Sequence, residues 1–339
     1  MEISFLPADI STKKLKAVEK ALLETFGDIN ITDAVSVKGG LSGSLVYKIS
    51  MDSQSYILKI NADESSVSGD SFNSLEIVSQ AGIAPKVYYM DKVDGIFITS
   101  FITNVPLRAV YITSDVLLPE LAKTIRQIHQ LPLFEKENNL LITIDTLVTE
   151  FRKSGMLASP VLDECFTHFD KIRNKYPWHD TDNVSSHNDL NPGNITCDGE
   201  KIWVIDWDMA SQNDRYVDLA TTANFFVHSE KDEKIFLENY FQSTPDEYKS
   251  ARFFIMRQTC RIVYAILMFK LAAKLKPAGE SHSNDMQVPE LKEIGERMRA
   301  GTIQLSSYEG QMMFGKAMIN DALKNMRSPR FQLSIDLFK

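Results

Sequence analysis

The run His187-Asn188-Asp189-Leu190-Asn191-Pro192-Gly193-Asn194, followed after a short apolar stretch by Ile205-Asp206-Trp207, decides the fold of this chain. It sets a carboxylate (Asp189), an amide five positions later (Asn194) and a second carboxylate (Asp206) in a fixed order. Phosphoryl transfer needs such groups, because the protein must orient the attacking hydroxyl and hold Mg²⁺ against the phosphates. The spacing therefore favours an ATP- and Mg²⁺-dependent phosphotransferase.

The chain between these groups predicts a hairpin. Ile195-Thr196-Cys197 and Ile202-Trp203-Val204-Ile205 are short apolar runs around an Asp198-Gly199 turn. The separation of Asp189 and Asn194 equals that in the kinase catalytic loop H-R-D-x-x-x-x-N, and Asp206 stands where the kinase D-F-G carboxylate would bind metal. A hairpin inside a helical region indicates a site.

Upstream, the pattern predicts a small α+β lobe. Apolar residues at helical spacing indicate a helix over 13–26 that ends at Gly27, and a second helix begins near Phe72 and ends at Gly82. Five β-rich runs, which we expect to form one antiparallel sheet, cover 35–38, 45–49, 56–60, 86–89 and 95–102.

Downstream, helical patterns dominate. They cover 116–129, 142–151, 160–176, 232–241 and 248–274, and the segment after about 285 is helical but weakly patterned. We therefore expect a two-lobed chain, with an N-terminal nucleotide-binding lobe over 1–101 and a mainly α-helical catalytic and substrate-binding lobe over 102–339.

Composition excludes several classes of protein. With 44% apolar and 24% charged residues over 339 positions, the chain is typical of a globular protein. A net charge of -8 argues against a nucleic-acid partner, which needs clustered cations. Three cysteines without metal-ligand spacing, no signal-like segment and no membrane-length apolar run favour the cytoplasm.

The chain resembles the aminoglycoside phosphotransferase and choline kinase superfamily, which shares the protein-kinase-like fold. The His187–Asn194 run and Ile205-Asp206-Trp207 carry the resemblance, and bacterial choline-kinase-like enzymes are the most similar members. Weaker matching segments are Gly39-Gly40-Leu41-Ser42, Tyr56-Ile57-Leu58-Lys59, Ala84-Pro85-Lys86-Val87-Tyr88, Phe101-Ile102, Ile128-His129-Gln130-Leu131-Pro132 and Asp218-Leu219-Ala220.

The resemblance implies a role for each matching residue. Asp189 would be the catalytic base or hydroxyl-orienting group, Asn194 and Asp206 would bind Mg²⁺, and Lys59 would pair with the ATP phosphates. Glu76 is the expected partner of Lys59, with Asp70 and Glu64 as alternatives. The remaining nucleotide contacts would come from Gly40, Ser42 and Ser44 near the phosphates and from the backbone of Ser100 and Ile102 near adenine.

The acceptor leaves two interpretations open. Arg257, Arg261 and Tyr264 share one face of the long predicted helix, where two arginines would suit an anionic or hydroxyl-rich acceptor, or would instead pair with acidic residues in a core. Choline kinases place two tryptophans one helical turn apart to enclose the quaternary ammonium, and this chain has Arg261 and Tyr264 at those positions, which counts against choline itself. Trp207 and Asp208, beside the predicted metal ligand, would instead suit a cationic acceptor.

The sequence therefore predicts transfer of the γ-phosphoryl group to a hydroxyl of a small molecule, either choline-like, another amino alcohol, or sugar-like. Two alternatives stay open. The acceptor could be an aminoglycoside, or the chain could be a catalytically silent nucleotide-binding module that acts through partners. The filled base and metal positions weigh against the silent module.

Overall fold

The computed structural model describes residues 6–7, 10–29, 31–37, 44–51, 53–61, 69–180, 182–277 and 279–338, and for 69–72 the backbone alone. The chain divides into two compact units. The first unit comprises 1–137 and 184–212, and the second comprises 138–183 and 213–339. The second unit therefore consists of two separate segments of the chain, one before and one after the motif at 187–194.

A five-stranded antiparallel sheet forms the centre of the first unit, in the order β1-β2-β3-β5-β4. Its strands are β1 (Asp33–Ser36), β2 (Leu45–Met51), β3 (Gln54–Ile60), β4 (Val87–Asp91) and β5 (Ile96–Ser100). In β2 and β3 buried side chains alternate with partly exposed ones, as in a sheet with one face on a core. The predicted sheet is thus confirmed.

Two main helices accompany this sheet. Helix α1 (Thr12–Phe26) begins where the Ser11 side chain accepts a hydrogen bond from the Lys14 backbone N–H, and it ends at Gly27, whose φ of 74° only glycine adopts readily. Its buried face packs with residues of β2, β3 and β5 in one core. Helix α2 (Gly69–Gln80) connects β3 to β4.

The rest of the first unit holds two further helices and the catalytic hairpin. Its elements are α3 (Leu107–Val110), α4 (Ser114–His129), β7 (Ile195–Cys197), β8 (Ile202–Val204) and a short 3₁₀ helix (Trp207–Met209). Strand β7 pairs with β8 as predicted. Two short strands that pair with each other, β6 (Asn183–Ser186) and β9 (Ser211–Asp214), flank this region.

The second unit is helical. The helices of its described part are α5 (Leu140–Ser154), α6 (Pro160–Lys175), α7 (Tyr216–Phe226), α8 (Glu230–Phe241), α9 (Glu247–Lys274), α10 (Leu291–Arg299), α11 (Tyr308–Met326) and α12 (Pro329–Asp336). The long helix α9 is the centre of the unit: α5, α6, α7, α11 and α12 pack against it, and its Phe253 and Phe269 are fully buried. Within the described ranges, no helix combines the length and apolar composition needed to cross a membrane.

The compact units do not follow the boundary predicted at 101. Residues 102–137 and the catalytic run group with the N-terminal sheet because the chain after β5 and the hairpin β7–β8 are hydrogen-bonded to each other. The predicted boundary separates two functions, nucleotide binding over 1–101 and catalysis with substrate binding over 102–339, and this division of functions stays a prediction.

Candidate active site

His187 and Asn188 give the catalytic loop its shape. His187 is fully buried, and its Nδ1 accepts a hydrogen bond from the Asp189 backbone N–H at 3.2 Å. Its Nε2, 3.0 Å from the Ile205 carbonyl, must then be the protonated nitrogen. Asn188, at φ 68°, donates from its amide to the Met209 carbonyl and the Ser211 hydroxyl. The two ring nitrogens of His187 therefore support the shape of the loop.

Asp189 has an amide donor at each carboxylate oxygen. Asn191 Nδ2 lies 3.0 Å from Oδ1, and Asn194 Nδ2 lies 3.0 Å from Oδ2. Asn194 Nδ2 also donates to the Asp189 backbone carbonyl. The two amides therefore hold both oxygens of the Asp189 carboxylate in place.

The hairpin brings the two predicted metal ligands together. Asn194 immediately precedes β7 and Asp206 follows β8, and the Ile205 N–H donates to the Asn194 carbonyl at 3.0 Å. Ile195 is paired with Val204 in register. Asp206 adopts φ 63°, a conformation that is uncommon for a non-glycine residue and is found at functional sites.

The hairpin is attached to two loops of the first unit. On one side, Asn104 Oδ1 accepts hydrogen bonds from the Thr196 hydroxyl at 2.7 Å and from the Cys197 N–H at 3.4 Å. On the other, Lys201 Nζ donates to the Gly82 carbonyl at 2.7 Å, and the Val204 N–H donates to the Ile83 carbonyl. These bonds fix the predicted base and both predicted metal ligands to the unit that carries the sheet.

Lys59 contacts two carboxylates of this region. Its Nζ lies 3.0 Å from Asp206 Oδ1 and 2.7 Å from Asp208 Oδ2. Burial alone would lower the pKa of Lys59, but these two carboxylates outweigh it and raise the pKa above its ordinary value. Lys59 is therefore an ammonium at neutral pH, next to the predicted metal ligand.

The predicted partner of Lys59 lies elsewhere. Glu76 accepts a hydrogen bond from Gln80 of the same helix, and the structure gives Lys59 Asp206 and Asp208 instead. The alternative Asp70 lies in α2, whose first residues are described by backbone alone, and Glu64 lies outside the described residues. The sequence identified the lysine but not its carboxylates, because these stand almost 150 positions further along the chain.

The predicted nucleotide contacts are placed in part. The Ser44 hydroxyl donates to Asn61 Oδ1, while Gly40 and Ser42 lie outside the described residues. The Ser100 N–H donates to the Lys86 carbonyl, so this backbone donor is already used. Ile102 follows the end of β5 and is partly exposed.

The residues next to Asp206 differ from the prediction. Trp207 is 4% exposed, and its ring packs edge-on against His187 and Phe134 while its indole N–H donates to the Val204 carbonyl. A buried ring leaves no face for an acceptor, so the predicted substrate contact through Trp207 is not supported. Asp208 is exposed but is paired with Lys59.

The arginines of α9 belong to a core network. Arg261 is 6% exposed, and its Nε lies 2.9 Å from Asp321 while its Nη1 donates to Gln258. Arg257 is paired with Glu233, and Tyr264 packs edge-on against Phe225. The structure thus supports the core interpretation for the two arginines, so the predicted acceptor contact at Arg261 is corrected. Tyr264 is partly exposed, and its predicted acceptor contact stays a prediction.

The donor set fits Mg²⁺. The Asn194 amide nitrogen is directed at Asp189, which leaves its oxygen for a cation, and Asp206 adds a half-exposed carboxylate. Among the described residues, no group of three His, Cys, Asp or Glu side chains could hold a metal ion. Mg²⁺ does not need such a cage, because in phosphotransferases it takes one or two protein oxygens and completes its shell with phosphates and water.

A family model matches residues 33–254, which include the sheet, the catalytic loop and the hairpin. Its description is the phosphotransferase enzyme family. The chain belongs to this family. The prediction of an enzyme of the small-molecule kinase class is thereby confirmed.

This phosphotransferase is similar to the following three proteins, one by sequence and two by structure. A Protein LicA homolog of Metamycoplasma hominis is 26% identical over 177 residues, which cover 51% of this chain and 66% of that protein. A choline/ethanolamine kinase family protein from Mesorhizobium loti aligns with a TM-score of 0.68 at 17% identity, over 95% of this chain and 97% of that one. Spectinomycin phosphotransferase APH(9)-Ia, solved with ADP and spectinomycin, aligns with a TM-score of 0.55 at 16% identity, over 89% and 98%. The structures share the predicted α+β kinase-like fold.

Sequence reasoning missed several residues of this phosphotransferase site. Asn191 stands at one of the unspecified positions between Asp189 and Asn194, and its spacing alone does not indicate a contact with Asp189. Asn104 and Lys201 attach the hairpin through loops that carry no motif. Asp208 was visible as the third residue of Asp-Trp-Asp, but the motif does not tell whether it faces an acceptor or the lysine.

Proposed function

We propose that this phosphotransferase moves the γ-phosphoryl group of ATP to a hydroxyl of a small molecule in a Mg²⁺-dependent reaction. The arrangement of Lys59, Asp189, Asn194 and Asp206 within one compact unit carries the proposal. All four are of the type that phosphoryl transfer uses, and they are fixed by hydrogen bonds before any ligand arrives.

Each residue has one task in this proposal. Asp189 accepts a hydrogen bond from the attacking hydroxyl and later takes its proton. Asn194 and Asp206 hold Mg²⁺, which neutralises charge on the phosphates when bound. Lys59 pairs with phosphate oxygens as a point charge and exchanges its present carboxylate partners for them.

The family relationship of the named proteins supports an amino-alcohol acceptor. One similar structure is a choline/ethanolamine kinase family protein, and another is a choline kinase from Streptococcus pneumoniae. Once Lys59 pairs with phosphate and Asp206 holds Mg²⁺, the Asp208 carboxylate is left without its cation, which favours a cationic acceptor over an anionic one. An aminoglycoside is also a cationic polyol, and the spectinomycin enzyme keeps that second candidate open.

The test is the formation of a phosphorylated product from purified protein, ATP and Mg²⁺ with choline, ethanolamine, neutral sugars and spectinomycin in parallel. We expect a product with choline or ethanolamine, and none with the neutral sugars. Spectinomycin as the preferred acceptor would reassign the substrate class. ATP binding without product from any cationic alcohol would favour the silent module instead.

Asn194→Ala tests the metal assignment through the Mg²⁺ requirement. We expect this variant to need more Mg²⁺ for half-maximal rate, because one of its two protein oxygens is lost. Asp189→Ala should lose turnover at every Mg²⁺ concentration and still bind ATP. A Mg²⁺ requirement that is unchanged in Asn194→Ala would contradict the metal assignment.

A further inference from the structure

Asn191 stands two residues after Asp189, and both ends of its side-chain amide are engaged. The Gly193 N–H lies 2.8 Å from Asn191 Oδ1, and the Asn191 amide nitrogen lies 3.0 Å from Asp189 Oδ1. A backbone N–H can only donate, so the amide oxygen must face Gly193 and the NH₂ group must face the carboxylate. The orientation of this amide is therefore determined by its neighbours.

The backbone around Asn191 holds it in this position. Its N–H donates to the Asp189 carbonyl at 2.8 Å, and its carbonyl accepts from the Asn194 N–H at 3.0 Å. Gly193 contributes by lacking a side chain, since a Cβ there would lie 3.0 Å from Asn191 Oδ1. The turn is thus built so that the Asn191 amide reaches the base.

The two amides on Asp189 have different further partners. Asn194 donates to Asp189 Oδ2 and still has its oxygen free of these donors, as a cation ligand requires. Asn191 uses its oxygen on Gly193, so it has none to offer a cation. One amide therefore links the base to the metal, and the other acts on the base alone.

We propose that Asn191 is a positioning residue for Asp189. Its hydrogen bond, together with that of Asn194, fixes the plane of the Asp189 carboxylate, so that a lone pair is directed at the attacking hydroxyl. The inference rests on the proposed function, because it assigns Asn191 to the phosphoryl-transfer step of the same site. Loss of the bond should slow the chemical step without weakening nucleotide or metal binding.

The experiment measures the single-turnover rate of phosphoryl transfer for the wild type, Asn191→Asp and Asn191→Ala on the full chain. Aspartate is isosteric and still accepts the Gly193 N–H, but it brings an oxygen to Asp189 in place of a donor. We expect a 10- to 100-fold slower step, roughly the value of one hydrogen bond to a charged group, in Asn191→Ala and a larger loss in Asn191→Asp. The KM for ATP and the Mg²⁺ dependence should stay within about twofold of wild type.

Asn239→Asp is the matched control. Asn239 donates to the Ile235 carbonyl of its own helix α8, so the same isosteric change should leave the rate of transfer at the wild-type value. Nucleotide binding by each variant reports whether it has folded.

The outcomes separate the two claims. An active wild type with Asn191→Ala at the wild-type rate overturns the role of Asn191 alone. The role is also overturned if the variant is slow only because it binds ATP or Mg²⁺ more weakly, which a higher KM for ATP or a higher Mg²⁺ requirement would show. A wild type that phosphorylates none of the acceptors overturns the proposed function and this inference together.

Discussion

Two clusters of side chains each pair one cation with aspartates, and the two behave differently. In the first unit, Lys59 meets Asp206 and Asp208, whose side chains are 42% and 43% exposed. In the second, Arg252 and Asp214 are 3% and 10% exposed. Asp214 is thus far less exposed than the two carboxylates around Lys59.

The buried cluster has its hydrogen bonds satisfied internally. Arg252 donates to Asp214 at 2.8 Å, to Asp180 at 2.7 Å and to the Tyr176 hydroxyl at 3.3 Å, and its guanidinium lies over the Tyr216 ring. Tyr176 in turn donates to Asp214. Such a network holds helices in place, whereas the exposed carboxylates around Lys59 can exchange partners for phosphates and a cation.

The largest expected effect is on activity, from Asp206→Ala. Removal of this carboxylate takes away a Mg²⁺ ligand and a partner of Lys59, so we expect turnover to fall about 10³-fold or more. The unfolding midpoint should change little, because the side chain is half-exposed. Steady-state kinetics and thermal unfolding of one preparation measure both. A variant with half of the wild-type kcat would contradict the account of the site.

The second effect is on stability, from Arg252→Ala. This change leaves Asp214 buried without its cation, which costs about 3–5 kcal/mol of unfolding free energy. Urea unfolding at neutral pH measures it. Arg173→Ala is the matched control, because Arg173 is paired with Asp145 in an exposed position and should hardly move the midpoint. Equal effects of the two changes would show that burial does not distinguish the pairs.

A smaller loss is expected where α9 meets α11. A Cβ at Gly315 would lie 2.6 Å from the Phe269 ring and 3.1 Å from the Ala265 carbonyl, so Gly315→Ala should cost about 1–3 kcal/mol. In α10 a Cβ at Gly295 would meet only the end of Arg299 at 3.6 Å. Gly295→Ala should therefore stabilise the protein by up to about 1 kcal/mol. Equilibrium unfolding of both variants tests the contrast in sign.

The smallest effect concerns the buried thiols. Burial raises the pKa of Cys165 and of Cys260 to about 12, so at pH 8 roughly one part in ten thousand of each is thiolate. We expect a thiol reagent to label native protein far more slowly than unfolded protein. Because Cys260 lies in α9 with Arg252, Arg252→Ala should speed its labelling, whereas Asp206→Ala should not. Rapid labelling of native wild type would contradict the packing of this helix.

The sequence predicted the sheet because its strands are runs of β-rich composition, and the first helix because it has one apolar face and a terminal glycine. It missed α7 as a helix, since Tyr216 to Asn224 are all buried and leave no polar face to reveal the period. In α11 the buried polar side chains of Gln311 and Lys316 interrupt the apolar pattern. Periodicity indicates an element only when one of its sides meets water.

The catalytic loop was predictable because its chemistry is local, within eight residues and a short hairpin. The carboxylates of Lys59 and the partners of Arg261 depend on contacts between distant segments, which spacing on one helix does not reveal. The arginine stripe on α9 was therefore equally compatible with a pocket and a core, and burial decided between them.

The most direct test of the central claim compares wild type with Asp189→Asn for both ATP binding and phosphoryl transfer to the preferred acceptor. Asparagine keeps the size of the side chain but cannot take the hydroxyl proton. We predict ATP binding within about twofold of wild type and a transfer rate at least about 100-fold lower. Transfer at the wild-type rate by Asp189→Asn would contradict the assignment of the chemistry to this loop.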